Sequence, residues 1–159
     1  MKTRLITLAM AACMGIGRAA GQEVFQQVVD TNKLIIEDPS ASGAALSIAQ
    51  FKYTAMQYLC TMAIKAGNGQ ADGSFLDRQA QAMNNFITGY LTELTAEKES
   101  KKQKEVMIRY WKASADNPLF GDKDTETTRA FTTDPTSITP FSLDTNWELA
   151  DSARKEKNK

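Results

Sequence analysis

Histidine is absent from the 159 residues of this chain. Its absence excludes Ser-His-Asp and Cys-His nucleophilic catalysis, acid–base catalysis by imidazole, and the zinc and non-haem iron sites that use it. Cysteine is nearly absent as well, with Cys13 and Cys60 alone, so no cysteine cluster replaces the missing imidazoles. No other catalytic constellation is recognisable. The sequence therefore predicts a protein that is not an enzyme and has no cofactor.

The first 21 residues have the order of a secretory signal peptide. Lys2 and Arg4 come first, an apolar run follows from residue 5 to about residue 17, and the small residues Ala19-Ala20-Gly21 close the segment. The run is shorter than the roughly 20 apolar residues that cross a bilayer. We expect this segment to be removed, which leaves a periplasmic or secreted chain that begins at Gln22 and has no transmembrane span.

A second interpretation of the same segment stays open. Met10-Ala11-Ala12 precedes Cys13 in the manner of a lipoprotein signal, which would anchor the protein through an acylated Cys13. Cleavage before Gln22 would instead leave Cys60 as the single cysteine, so we expect no internal disulfide. Cys60 lies on the apolar side of its predicted helix, a setting typical of a buried and inert thiol.

The charges of the chain nearly cancel. The whole sequence has a formal net charge of 0, and removal of the first 21 residues deletes three basic residues and no acid, which gives about −3. A mildly acidic domain offers no electrostatic reason to expect nucleic acid, or attachment to a membrane surface through basic residues. The basic cluster at the end of the chain, Arg154 to Lys159, is expected to be solvated, with residues 156–159 as a charged tail.

Apolar periodicity and helix-end signals predict an all-α protein. Asp38-Pro39 ends the first helix, Ser40 or Ser42 begins the second, and Gly67-Asn68-Gly69 ends it. The second helix is apolar over most of its circumference, so we expect it at the centre of a bundle. Four long helices are expected, followed by a short one near the C-terminus: 22–37, 42–66, 74–95, 96–115 and 144–155.

These elements predict one domain over residues 22–155, an antiparallel bundle of about four helices with a long irregular segment and a short C-terminal helix. Ser74, with Asp77 three residues later, is expected to cap the third helix. Pairs four residues apart are expected to support the fourth helix, Glu97 with Lys101 and Glu105 with Arg109.

The irregular segment, residues 116–143, contains three prolines and has no helical or strand period. Its aromatic residues predict that it is ordered against the bundle. A ligand groove between the helices and this segment is one possibility; its lining residues would be Tyr110, Trp111, Phe120, Phe131 and Phe141.

Three carboxylates at alternate positions, Asp122, Asp124 and Glu126, resemble the start of a calcium loop. The EF-hand pattern then needs glycine and glutamate where this chain has Thr127 and Thr133. A solvated turn is therefore the preferred interpretation, and no metal site is expected.

Three stretches, FKYTAMQYLCTMAIKAG, FLDRQAQAMNNFITGYLTEL and TPFSLDTNWELA, resemble small exported helical proteins of Gram-negative bacteria that have no assigned activity. The resemblance implies an envelope or secreted protein and brings no catalytic residues. Together with the missing reactive groups it predicts an exported, non-catalytic structural or protein-interaction module, with an unknown protein partner in the bacterial envelope. The alternative is a small-ligand-binding module that uses the groove described above.

Overall fold

A computed structural model describes residues 22–121 and 139–156 of the chain. Within them the protein is all-helical, as predicted, and forms a bundle with a short helix at its C-terminal end. Five helices follow one another along the chain: α1 Glu23–Glu37, α2 Gly43–Ala66, α3 Gly73–Ala96, α4 Ser100–Ala115 and α5 Trp147–Glu156.

Local sequence signals set most of the helix ends. Ser42 accepts a hydrogen bond from the backbone N–H of Ala45 and caps α2, one of the two caps expected. Asp38, which precedes a proline, has an extended backbone and ends α1. After α2 the backbone turns through Asn68 and Gly69, whose φ angles of 53° and 99° lie in the left-handed region.

Asp77 does not take part in the expected cap of its own helix. The N-cap of α3 is Asp72, which accepts from the N–H of Ser74. Asp77 instead accepts from the backbone N–H of Phe25 at 2.8 Å, in the first turn of α1, where Gln22 makes no side-chain cap. The two helices therefore begin at the same end of the bundle, and α3 supplies a hydrogen-bond acceptor that α1 lacks.

The chain is not helical between α3 and α4. Residues 97–99 are extended or bent, so α4 begins at Ser100 rather than at residue 96. The break places Glu97 outside α4, where it cannot form a helical pair with Lys101. Arg109 forms its ion pair with Glu93 of α3. An ion pair between α3 and α4, instead of one within α4, therefore stabilises the packing of these two helices.

An aromatic cluster forms the centre of the core. Phe86 of α3 makes edge-to-face contacts with Tyr110, Phe141 and Trp147, with ring centroids 5.0–5.6 Å apart. We expected α2 at the centre of the bundle, but α3 is the helix that contacts all four others. The reason is that α5 packs onto α3, an arrangement that the apolar pattern of α2 cannot reveal.

The described ends of the irregular segment are fastened to each other and to α4. Asp144 accepts hydrogen bonds from the backbone N–H groups of Leu119 and Phe120, at 3.2 and 2.8 Å. The buried hydroxyl of Ser114 bonds to that of Thr145 at 2.8 Å. Phe141 is buried in the core, so this part of the segment is ordered against the bundle as expected.

The state of Cys60 differs from the unpaired thiol that the sequence predicts. It is buried in α2, as expected, but it is disulfide-bonded, and its partner lies outside the described residues. The sequence contains one other cysteine, Cys13. A disulfide between them and cleavage before Gln22 exclude each other, because cleavage would remove Cys13 from the chain.

Candidate functional site

The five aromatic residues expected to line a groove lie in different settings. Tyr110 and Phe141 are buried, Phe120 is half-buried, and Phe131 is outside the described residues. Trp111 lies on the solvent side of α4 and is 51% exposed. Neighbouring residues of a helix point about 100° apart, which is why Tyr110 faces the core while Trp111 does not. The described members of this set do not meet at one surface.

Tyr110 carries a buried hydroxyl that contacts two charged side chains. It donates to Glu93 Oε1 at 2.6 Å and accepts from Arg154 Nη1 at 3.1 Å. Burial raises the pKa of Tyr110 above its ordinary value of 10.0, and the hydrogen bond to Glu93 raises that pKa further, against the charge of Arg154. The phenol therefore stays protonated near neutral pH and cannot act as a base there.

Glu93 is the centre of an ionic cluster that joins α3 to α4 and α5. Arg109 forms an ion pair with it from α4, and Arg154 Nη1 lies 3.7 Å from Glu93 Oε1. Arg154 Nε also donates to Asp151 Oδ1 at 2.7 Å, and Lys155 Nζ lies 2.5 Å from Asp151 Oδ2. Tyr110 and Arg109 each donate a hydrogen bond to one carboxylate oxygen of Glu93. These contacts are those of a carboxylate that stabilises the fold.

Gly89 allows Arg154 to lie directly against α3. A Cβ atom at position 89 would come within 2.5 Å of Arg154 Nη1 and 2.7 Å of its Cζ. Burial acts to lower the pKa of Arg154, but its contacts with Asp151 and Tyr110 outweigh burial and raise that pKa. The arginine stays charged and holds the C-terminal helix against the bundle. The expectation of a solvated basic end is therefore wrong for Arg154, because it finds acidic and phenolic partners on α3, α4 and α5.

A groove of about 870 Å³ runs along the bundle between α1 and α3. One end reaches the ionic cluster at Glu93 and Arg154. We call it the α1–α3 groove; side-chain amides and hydroxyls line much of it, among them Gln27, Thr31, Asn84, Asn85 and Thr88. Such a lining offers many hydrogen-bond donors and acceptors, interspersed with apolar side chains of α1.

Lys52 reaches the α1–α3 groove from α2. Burial lowers the pKa of this ammonium group below its ordinary value of 10.5. Within the described residues Lys52 makes no hydrogen bond and no ion pair. A charge that is partly removed from water and has no counter-charge destabilises the fold, and a bound anion would relieve that cost.

The outward side of α4 carries large apolar residues among lysines. Met107, Ile108 and Trp111 are 39%, 56% and 51% exposed. Trp111 is a neighbour of both others on the helix surface, because it lies three residues after Ile108 and four after Met107. We name this surface the α4 outer face and define it by six residues: Lys101, Lys104, Met107, Ile108, Trp111 and Lys112.

Two predicted features lie outside the described residues, namely the acidic group at Asp122, Asp124 and Glu126 and the lipidation residue Cys13. In the part of the chain that is described, no group of three or more histidine, cysteine, aspartate or glutamate side chains is placed to hold a metal ion. None of the described helices combines the length and apolarity that a membrane span requires.

Comparison with known proteins returns no match to a protein-family model, a curated protein or a solved structure. Two places in the fold have features of a binding surface, the α4 outer face and the α1–α3 groove.

Proposed function

We propose that this protein is an exported, non-catalytic interaction module of the bacterial envelope, and that it docks through the α4 outer face. The observation that carries the proposal is the exposure of Met107, Ile108 and Trp111 together on one helix. Large apolar residues exposed in a group mark contact surfaces more often than single exposed ones do. The opposite side of α4, with Val106 and Tyr110, is buried in the bundle.

Two further features support the non-catalytic and exported parts of this proposal. The lack of histidine removes the commonest acid–base and nucleophile-activating group. The first 21 residues have the order of a secretory signal peptide, which favours export. Intact-mass measurement on the protein recovered from the periplasm tests export and defines the N-terminus. A chain that starts at Gln22 has a free Cys60, whereas a chain that keeps Cys13 can hold the disulfide.

Site-specific photo-crosslinking in living cells tests the docking surface. A photoreactive phenylalanine analogue replaces Trp111 in one variant and Leu34, an exposed residue of α1, in the matched control. We expect an adduct from position 111 and none from position 34. Equal labelling from the two positions, or no adduct of either protein or lipid at position 111, would refute docking through the α4 outer face.

A second candidate function is small-ligand binding in the α1–α3 groove. The observation that favours it is Lys52, a partly buried ammonium group in a polar groove without a counter-charge among the described residues. We propose a ligand that carries a carboxylate or phosphate group. This groove is not the one predicted from the sequence, which was expected beside residues 116–143.

Thermal melts test this second function with succinate, citrate and inorganic phosphate as probes. A ligand that binds the folded state alone raises the melting temperature. We expect at least one probe to raise the melting temperature of the wild type and to have no effect on Lys52→Met. If none of the three raises it, or if the variant responds equally, Lys52 is not an anion-binding residue.

A further inference from the structure

We infer that the partner of the α4 outer face is the surface of an anionic phospholipid bilayer, an inference that rests on the proposed docking function. The charge of α4 is the first reason. The helix carries four lysines and one arginine against a single acid, Glu105. The whole sequence has a formal net charge of 0, so the excess of basic residues on α4 is a local concentration of positive charge.

Three of these lysines are available to an external partner. Within the described residues, Lys102 lies 3.4 Å from Glu99, and Arg109 pairs with Glu93. Lys101, Lys104 and Lys112 are exposed and have no such carboxylate partner. Positions 101, 104, 108 and 111 recur at helical spacing, so two lysines lie in line with Ile108 and Trp111. Lysines of this kind are attracted to anionic headgroups.

The apolar residues fit the same partner. The tryptophan ring is amphipathic and is enriched at membrane–water interfaces. A helix that lies in the plane of the interface buries apolar side chains while its lysines remain among the headgroups. Here Trp111, Ile108 and Met107 project from a helix that contacts only α3 and α5 among the described helices. No other described helix covers this side of α4, where the three side chains are exposed, so it can approach a flat surface.

A folded protein partner fits less well. Lysine is depleted in protein–protein interfaces, whereas it surrounds the apolar residues here. Three half-exposed apolar side chains expose on the order of 300 Å², well below the roughly 800 Å² that each partner of a stable complex buries. A second copy of the chain would bring two basic helices together, and their like charges would repel.

Vesicle binding followed by tryptophan emission tests this inference on the exported chain as recovered from the cell. The chain has two tryptophans, and Trp147 is 1% exposed in the core, so a change in emission reports Trp111. We expect a blue shift with vesicles that contain phosphatidylglycerol, and none with phosphatidylcholine alone. Trp111→Phe should abolish the shift, and 0.5 M salt should largely reverse it, since the Debye length falls to a few ångströms.

Matched variants separate the lysines from general charge. Lys101→Gln with Lys104→Gln should weaken binding to anionic vesicles by about thirtyfold, which is roughly fivefold for each lysine. Lys33→Gln with Lys65→Gln removes two exposed lysines from α1 and α2 and should change binding less than twofold. Equal losses in the two double variants would overturn the assignment to α4.

The outcomes also distinguish this inference from the docking proposal. If anionic vesicles leave Trp111 emission unchanged while position 111 crosslinks to a protein, the bilayer inference fails and docking through α4 stands. If neither vesicles nor crosslinking involve position 111, both fail. Binding to phosphatidylcholine and phosphatidylglycerol vesicles with equal strength would contradict the role given to the lysines.

Discussion

At the scale of single residues, Gly89 and Arg154 form a pair in which a missing side chain on one helix makes room for a charged group from another. Alanine is normally preferred to glycine inside a helix by about 1 kcal/mol. At position 89 its Cβ would lie 2.5 Å from Arg154 Nη1, which would displace the guanidinium from Asp151 and Tyr110.

We therefore predict that Gly89→Ala lowers the free energy of unfolding by about 1–2 kcal/mol, measured by urea denaturation. In an Arg154→Ala background the same substitution should raise it by up to about 1 kcal/mol, because only the helical preference remains. If Gly89→Ala changes the free energy of unfolding in the same direction in both backgrounds, the double-mutant cycle contradicts the contact with Arg154 as the cause.

Lys52 gives the second prediction at this scale. Its pKa is lowered in the folded state. At pH 7 the charged ammonium group is therefore less stable in the folded protein than in the unfolded chain. Lys52→Met should raise the free energy of unfolding at pH 7 by about 1 kcal/mol. The gain should vanish above about pH 10.5, where lysine is neutral in both states.

Urea denaturation at pH 7 and at high pH measures the effect. Lys33→Met, at an exposed position of α1, is the control and should change the free energy by less than about 0.5 kcal/mol. A loss of stability in Lys52→Met at pH 7 would mean that the ammonium group has a favourable contact in the folded chain.

The sequence carries a signal for the unusual position of Lys52. The polar residues of α2 recur at helical spacing and form one ridge, and Lys52 lies on the opposite, apolar side. Likewise, the apolar residues from Val106 to Trp111 cover more of the α4 circumference than one buried face needs. That excess indicates that some of these apolar residues are exposed. Whether Tyr110 or Trp111 is the buried one depends on where α3 and α5 lie.

At the scale of elements, local sequence signals predict the helices, whereas contacts between residues far apart in the sequence cannot be predicted from such signals. Ser42, Pro39 and Asn68 act within one turn of the ends that they set. Asp77 bonds to α1 across 52 residues of chain, and nothing near it in the sequence indicates that partner. The order of packing, with α3 at the centre, is unpredictable for the same reason.

Gln79 is the clearest element-scale case, because a buried amide of α3 caps α5. Its Oε1 accepts from the Trp147 N–H at 2.8 Å, and its Nε2 donates to Glu148 Oε2 at 3.0 Å and to Asn146 Oδ1 at 3.3 Å. An isolated ten-residue helix is unstable in water, so α5 depends on such contacts.

We predict that Gln79→Leu lowers the free energy of unfolding by about 2–3 kcal/mol, since it leaves buried polar groups without partners. Trp147 emission should shift to the red as α5 loosens. Gln81→Leu, an exposed position on the same helix, should change stability by less than about 0.5 kcal/mol. Comparable effects from the two variants would argue against the cap.

At the scale of the whole molecule, the bundle should lose stability in alkali. Burial raises the pKa of Tyr90 and, with the Glu93 hydrogen bond, that of Tyr110. A tyrosine whose folded pKa is raised stabilises the fold fully below pH 10, and this stabilisation falls as the pH rises further because the unfolded chain ionises first.

The free energy of unfolding should therefore fall steeply between about pH 10 and 12, the range above the ordinary tyrosine pKa. Tyr110→Phe should lower stability at pH 7 by about 1 kcal/mol, through loss of the hydroxyl bonds, and should make the alkaline decline shallower. Urea denaturation across this range measures both effects. Parallel declines in the wild type and the variant would show that Tyr110 does not contribute.

The proposed docking through the α4 outer face is tested most directly by how the protein divides between the membrane and soluble fractions of the cells that produce it. We predict that Ile108→Ser with Trp111→Ser lowers the membrane-to-soluble ratio at least tenfold, whereas Leu34→Ser with Leu149→Ser, which also removes two exposed apolar residues, leaves it within twofold. The melting temperature of each variant should stay close to that of the wild type, because all four positions are exposed. Equal ratios for the two double variants, with both proteins folded, would contradict the docking surface assigned to α4.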